Sequence, residues 1–150
     1  MTAMEIMERC RRADAERRAM ESRIQRYRDS VTRVTSAIGG VGSRGTSEQD
    51  RMATVMGEID ALERENEQRT RAYAAEIACA NRLLDGLPET EARVLSLYYI
   101  RALTLGAIAR ELKYSYGYVR ALKASGCRYL REVPEADVMQ LLPAWYEGGR

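Results

Sequence analysis

TLGAIARELKYSYGYVRALK, residues 104–123, is the stretch on which the reading of this chain turns. Leu105, Ile108, Ala109 and Leu112 recur at helical spacing, so one helix buries that stripe. Thr104 stands just ahead as an N-cap, its hydroxyl placed to accept from an orphan backbone N–H. Lys113-Tyr114 breaks the pattern, and Ser115 offers a second N-cap. Behind it Tyr118, Val119 and Leu122 are expected to face inward, with Tyr116, Arg120 and Lys123 outside. Two caps, a short break and two apolar faces meeting at an angle describe a helix-turn-helix.

Charge is concentrated on the same stretch. Between Arg101 and Arg131 lie seven basic residues (Arg101, Arg110, Lys113, Arg120, Lys123, Arg128, Arg131) and one acid, Glu111, a local net charge of +6. The whole 150-residue chain carries only +2, so the other segments sum to −4. Lys and Arg also decorate ordinary solvated helices. Over a helix-turn-helix pattern, however, such concentration is the electrostatic footprint of a phosphate backbone.

Composition excludes several classes. Charged residues make up 31 % of the chain and no apolar run reaches the roughly 20 residues that cross a bilayer. The N-terminus alternates charges too early for a secretory signal, so a cytoplasmic protein without membrane contact is expected. Cys10, Cys79 and Cys127 are far apart and the chain has no histidine, which leaves no usual zinc pattern and no usual general base. Neither a metal, a cofactor nor an enzymatic activity is expected.

Upstream, Ala3, Ile6, Cys10, Ala13, Arg17, Met20, Ile24, Tyr27, Val31, Val34 and Ile38 alternate steps of three and four. That is a coiled-coil seam, predicting one helix from Ala3 to about residue 37. Four glycines in residues 39–45 end it, and Gly40, Gly42 and Gly45 there match G-x-G-x-x-G. With no strand ahead and no βαβ unit around them, a hairpin connection is the reading, not a dinucleotide site. Ser47 is expected to cap a second long helix with its seam on Met52, Val55, Ile59, Leu62, Asn66, Arg69, Tyr73, Glu76 or Ile77, Ala80, Leu83 or Leu84, and Leu87. Folded back at the glycines, facing positions have residue numbers summing to about 90. Two helices cannot cover both flanks, so the hairpin is expected to pair with a second copy or to form a higher oligomer.

The fold class expected is therefore all-α: a long antiparallel helical hairpin over 1–86, then a helix-turn-helix domain over 87–132. Gly86 is expected as a left-handed stop, and Pro88 in the first turn of the next helix. An acidic tail, 133–150, carries one short amphipathic helix on Val138, Met139, Leu141 and Leu142, with Trp145 as a packing anchor or partner contact.

Residues 87–131 also resemble region four of bacterial sigma factors. The resemblance is carried by Leu87-Pro88-Glu89, Val94-Leu95, Leu97-Tyr98, Thr104-Leu105, Ile108-Ala109, Leu112, Ser115, Val119 and Leu130. The longer chain, with Val31-Thr32-Arg33-Val34-Thr35-Ser36 before the glycine loop, then Asp50-Arg51-Met52, and Tyr114-Ser115-Tyr116 opening the recognition helix, is similar to phage-encoded late-gene regulators of the ArpU and RinA kind. Two departures stand out: Lys113 where the family has a turn glycine, and Gly117 and Gly126 within the recognition helix, expected to weaken it. The resemblance implies double-stranded DNA as partner, with RNA polymerase as a candidate second one. It places Tyr116, Gly117, Arg120 and Ala121 at base edges. Of these, Arg120 has the bidentate donor geometry suited to guanine. Lys123, Arg128, Lys113 and Arg101 are the expected phosphate contacts.

Since no core-polymerase-binding region is recognisable, an activator or accessory factor is expected in place of a stand-alone sigma factor. Two rival readings share these features: a small terminase-like packaging subunit, and a structural coiled-coil protein whose basic domain binds a protein.

Overall fold

Long-range packing in this chain joins its two ends. The computed structural model describes residues 1–38 and 46–148, with side chains described through 33 and from 49 onward. The glycine motif, the Ser47 cap and the pairing of Ile38 with Met52 lie outside these described residues. The described chain is all-α, with α1 (Ala3–Ile38), α2 (Thr46–Asp85), α3 (Glu89–Leu95), α4 (Leu105–Leu112), α5 (Tyr116–Arg131) and α6 (Glu135–Leu141). A π-helical turn, Ser96–Ile100, continues α3. Two compact units form: Met1–Ala15 with Arg71–Arg150, and Glu16–Thr70.

In the unit Glu16–Thr70 the seam spacing translates into burial near its middle. Met20, Ile24 and Leu62 cluster with Tyr27 against them, and Ile59 is buried. Arg28 of α1 forms an ion pair with Glu63 of α2, one position from the expected register. The polar seam residues behave differently from one another. Arg69 stays exposed and pairs with Glu65 at 2.9 Å, whereas Asn66 is half-buried with its Oδ1 covered and unbonded. A covered acceptor without a donor costs about 1–3 kcal/mol, and polar seam positions commonly fix register.

In the unit Met1–Ala15 with Arg71–Arg150, the seam residues Ala3, Ile6 and Cys10 of α1 meet Cys79, Ala80, Leu83 and Leu84 of α2. The same core takes in Leu95, Tyr99, Cys127 and Leu130, and from the tail Val138, Leu142 and Tyr146. Of the two seam candidates at that level Glu76 is buried, and it survives there because it is paired. Tyr146 Oη donates to its carboxylate, and Arg9 Nη1 lies 3.4 Å from both groups. Trp145 is half-exposed with the Arg71 guanidinium 4.0 Å from its ring centroid. All three cysteines are buried thiols.

Gly86 does not adopt the left-handed conformation expected of a helix stop. Instead α2 closes with a tightened last turn, Gly86 N–H donating to Leu83 O (3.3 Å) and Leu87 N–H to Leu84 O (3.0 Å). Short-range bonds of this kind satisfy the terminal carbonyls without a positive φ.

Candidate nucleic-acid interface

Two N-caps define the helix-turn-helix. Thr104 Oγ1 accepts from Ala107 N–H at 3.2 Å and opens α4, and Ser115 Oγ accepts from Tyr118 N–H at 3.1 Å and opens α5. Between them Lys113 sits at φ 57°, ψ 39°, the left-handed conformation that a tight reversal demands. For a non-glycine residue this costs about 1 kcal/mol, returned by Tyr114 N–H donating to Ala109 O at 3.0 Å. Ile108 and Ala109 of α4, Val119 and Leu122 of α5, and Val94 and Leu97 beneath them form one apolar cluster.

The connection from α3 to α4 is a second tight reversal. The π-helical turn ends with Arg101 N–H donating to Ser96 O (3.1 Å), and Ala102 follows at φ 56°. Arg11 of α1 clasps the reversal: its Nη1 donates to Tyr98 O and to Leu103 O, the latter at 3.1 Å, with Cζ 3.8 Å from the Tyr98 ring centroid. Sequence reasoning missed Arg11. It is one of many arginines on a charged helix, and nothing local distinguishes it.

The eight expected contact residues fall into three groups. Tyr116, Gly117, Arg120 and Ala121 are all exposed along the first turns of α5. Lys113 and Arg128 are exposed as well, and so are Arg110 and Arg131. Among the described residues none of Arg110, Lys113, Arg120, Arg128 and Arg131 forms an ion pair, whereas Arg101 pairs with Glu111 at 3.1 Å.

Lys123 stands alone, and its expected place outside is corrected. It is half-buried, with Nζ 4.3 Å from the Tyr98 ring centroid and 5.9 Å from that of Tyr99. The reason is helical geometry: four residues after the buried Val119, it lies on the same face. Its stem is covered there while the ammonium meets aromatic rings.

Two further expectations for α5 are corrected. Tyr118 is 48 % exposed, not inward, and packs edge-on against Tyr114 with centroids 5.0 Å apart. With Ser115 as cap, it lies at the border of the buried face, where no other helix covers it. Gly126 is no mere weakness: a Cβ there would fall 2.6 Å from Leu95 Cδ1, so its absence lets α5 approach α3. At Gly117, by contrast, an added Cβ would meet nothing within 4 Å.

Each residue of a helix turns by about 100° from the last. On α5, whose buried side is marked by Val119, Leu122, Gly126 and Leu130, the outermost line therefore runs Gly117, Ala121, Ala124, Arg128. Arg120 and Arg131 flank it on one side, Tyr118 and Tyr129 on the other, all exposed. A helix face with small residues in its first turns, arginines along one side and tyrosines along the other has the form of a surface for a nucleic-acid groove.

The comparison with known families agrees with this geometry. Residues 83–132 match the family model of sigma-70, region 4. The chain carries a sigma region-4 domain. The match covers 50 of the 150 residues and takes in α3, the π-helical turn, α4 and α5. Arg11, which clasps the region-4 domain at Tyr98 and Leu103, lies outside the matched segment. Domains of the region-4 family bind DNA. No curated protein and no solved structure matches the chain. Among the described residues no helix is long and apolar enough to cross a membrane, and no group of acidic and cysteine side chains could hold a metal.

Proposed function

We propose that the protein is a sequence-specific, double-stranded-DNA-binding transcription regulator that uses α5 of its region-4 domain as recognition helix. The observation that carries this reading is the exposed face of α5, with Arg120 in its second turn and unpaired cations around it, inside a segment that matches sigma-70 region 4. Arg120 reads guanine through its two-pronged donor set, while Lys113, Arg128, Arg110 and Arg131 hold phosphates. Lys123, engaged by Tyr98, supports the helix from behind.

Measuring Kd on target and random duplexes over a range of salt tests these roles. Arg120→Ala flattens discrimination between target and random DNA by about 1–3 kcal/mol. Arg128→Ala weakens binding to every duplex alike and lowers the salt slope by about one unit. Lys123→Ala leaves the slope as it was. Equal losses on all duplexes from Arg120→Ala and Arg128→Ala would remove Arg120 from base reading.

Self-association belongs to the same proposal. In the unit Glu16–Thr70 only Met20, Ile24, Ile59 and Leu62 are buried apolar side chains among the described residues. So small a core is marginal alone, and a second copy packed on the hairpin as a coiled coil supplies the missing burial. Light scattering on the purified chain is expected to give a dimer. A monomer would end this part of the proposal, and a ring of many subunits would favour DNA packaging over regulation.

The similarity to phage-encoded late-gene regulators supports placing the activity in a phage or prophage operon, as an activator in the host cytoplasm. No catalytic role is proposed.

A further inference from the structure

The reversal that leads into α4 is held from outside the region-4 segment. It contains neither glycine nor proline, yet Ala102 stands at φ 56°, a region that a residue with a Cβ enters only at a cost. Within the segment, Arg101 N–H donates to Ser96 O and Leu103 N–H to Leu97 O. The carbonyls of Tyr98 and Leu103, one on each side of Ala102, instead accept from Nη1 of Arg11 on α1. A single guanidinium nitrogen bonded to both fixes their separation and so closes the reversal. Two cations also meet on one ring. Arg11 Cζ lies 3.8 Å and Lys123 Nζ 4.3 Å from the Tyr98 centroid, the π system offsetting their mutual repulsion. Lys123 stands on α5, three residues after Arg120. Arg11 thus touches the start of the helix-turn-helix directly and shares a ring with its second helix, although residues 83–132 alone match the family.

We propose that Arg11 is a positioning residue for DNA recognition: from α1 it sets the angle at which α4 and α5 leave α3. The inference rests on the DNA-binding reading above. Specific contacts need their donors held within about 0.5 Å and 10–20°. Attraction to phosphates is Coulombic, falls off slowly with distance and tolerates a looser pose. Losing Arg11 therefore lowers the preference for a target over other duplexes, while general attraction to DNA persists.

A duplex selected from random DNA with the full chain, and a random duplex of equal length, are titrated with the original protein and with Arg11→Met. Methionine keeps the stem and is a good helix former, but brings none of the donors. The preference for the selected duplex is expected to fall about tenfold. Affinity for the random duplex and the salt slope stay as they were, because a guanidinium engaged with two carbonyls makes no phosphate contact. In hydrogen exchange the amides of Arg101 and Leu103 open faster in the variant, while those around Ile59 of α2 do not change. A merely structural role would lower the folded fraction and weaken both duplexes by one factor. That result overturns the inference, and so does an unchanged preference; the DNA-binding reading survives either. Should Arg11→Met fail to fold, Arg11→Lys carries the same test: it keeps the charge without the planar fork, and a fall of about threefold is expected. An original protein that prefers no duplex overturns both readings.

Discussion

Raising the pH above about 9 is expected to unfold the protein steeply, because four buried acids keep their protons in the folded chain. Burial pushes the Cys10 thiol from 9.0 up to about 12, with the carboxylate of Glu76 adding to the effect. Burial likewise raises Cys79, against a lowering influence of Arg82. Tyr99 and Tyr146 are raised above 10.0, chiefly by burial, then by the contacts of their hydroxyls with Cys127 and Glu76 respectively. In each case the folded pKa lies above the unfolded one. The stabilisation is therefore complete below the unfolded value and is lost as pH rises through the interval towards the folded value. Each group contributes a loss of about 1.4 kcal/mol per pH unit within its interval, so Cys10 alone accounts for about 4 kcal/mol. Urea midpoints measured at increasing pH should fall ever faster, first with the thiols and then with the phenols. A midpoint that stays level to about pH 11 would mean that these side chains reach water in the folded state.

Gly126→Ala should destabilise the fold by about 1–3 kcal/mol. The new Cβ would stand 2.6 Å from Leu95 Cδ1, 3.1 Å from its Cγ and 3.4 Å from Glu91 Cβ. A leucine tip can often swing aside, but Leu95 is fully buried in the core shared by α1, α2 and α5 and has nowhere to swing. Alanine's better helix propensity, worth about 1 kcal/mol, offsets only part of the clash. The comparison with Gly117→Ala is instructive, since the same substitution nine residues earlier in the same helix should leave stability unchanged or raise it. Denaturant titration of both variants decides the matter. A Gly126→Ala chain as stable as the original would show that α3 and α5 can part without penalty.

The two glycines also mark where the sequence stops being legible. Either lies inside a helical pattern, and the sequence offers only a propensity penalty for both. Their different roles depend on what lies across the gap: Leu95 for one, open space for the other. Lys123 and Tyr118 form a related case: residue type suggests charge outside and aromatic inside, but Lys123 shares the face of buried Val119, while Tyr118 stands at the border of that face with no helix over it. Phase was readable from Val119, and giving it precedence over polarity would have placed Lys123 correctly.

By itself the sequence determined what depends on neighbours three or four residues apart. The caps at Thr104 and Ser115, the seam of α1 and the exposure of Arg120 and Tyr116 all follow from local hydrogen bonds and period. Only the tertiary structure decided the rest: Arg11 clasping the turn before α4, Glu76 buried beneath Tyr146, Lys123 against Tyr98, and Gly126 yielding to Leu95. Each of these joins residues distant along the chain. No local period or propensity specifies such a meeting, because its free energy exists only once the helices have packed.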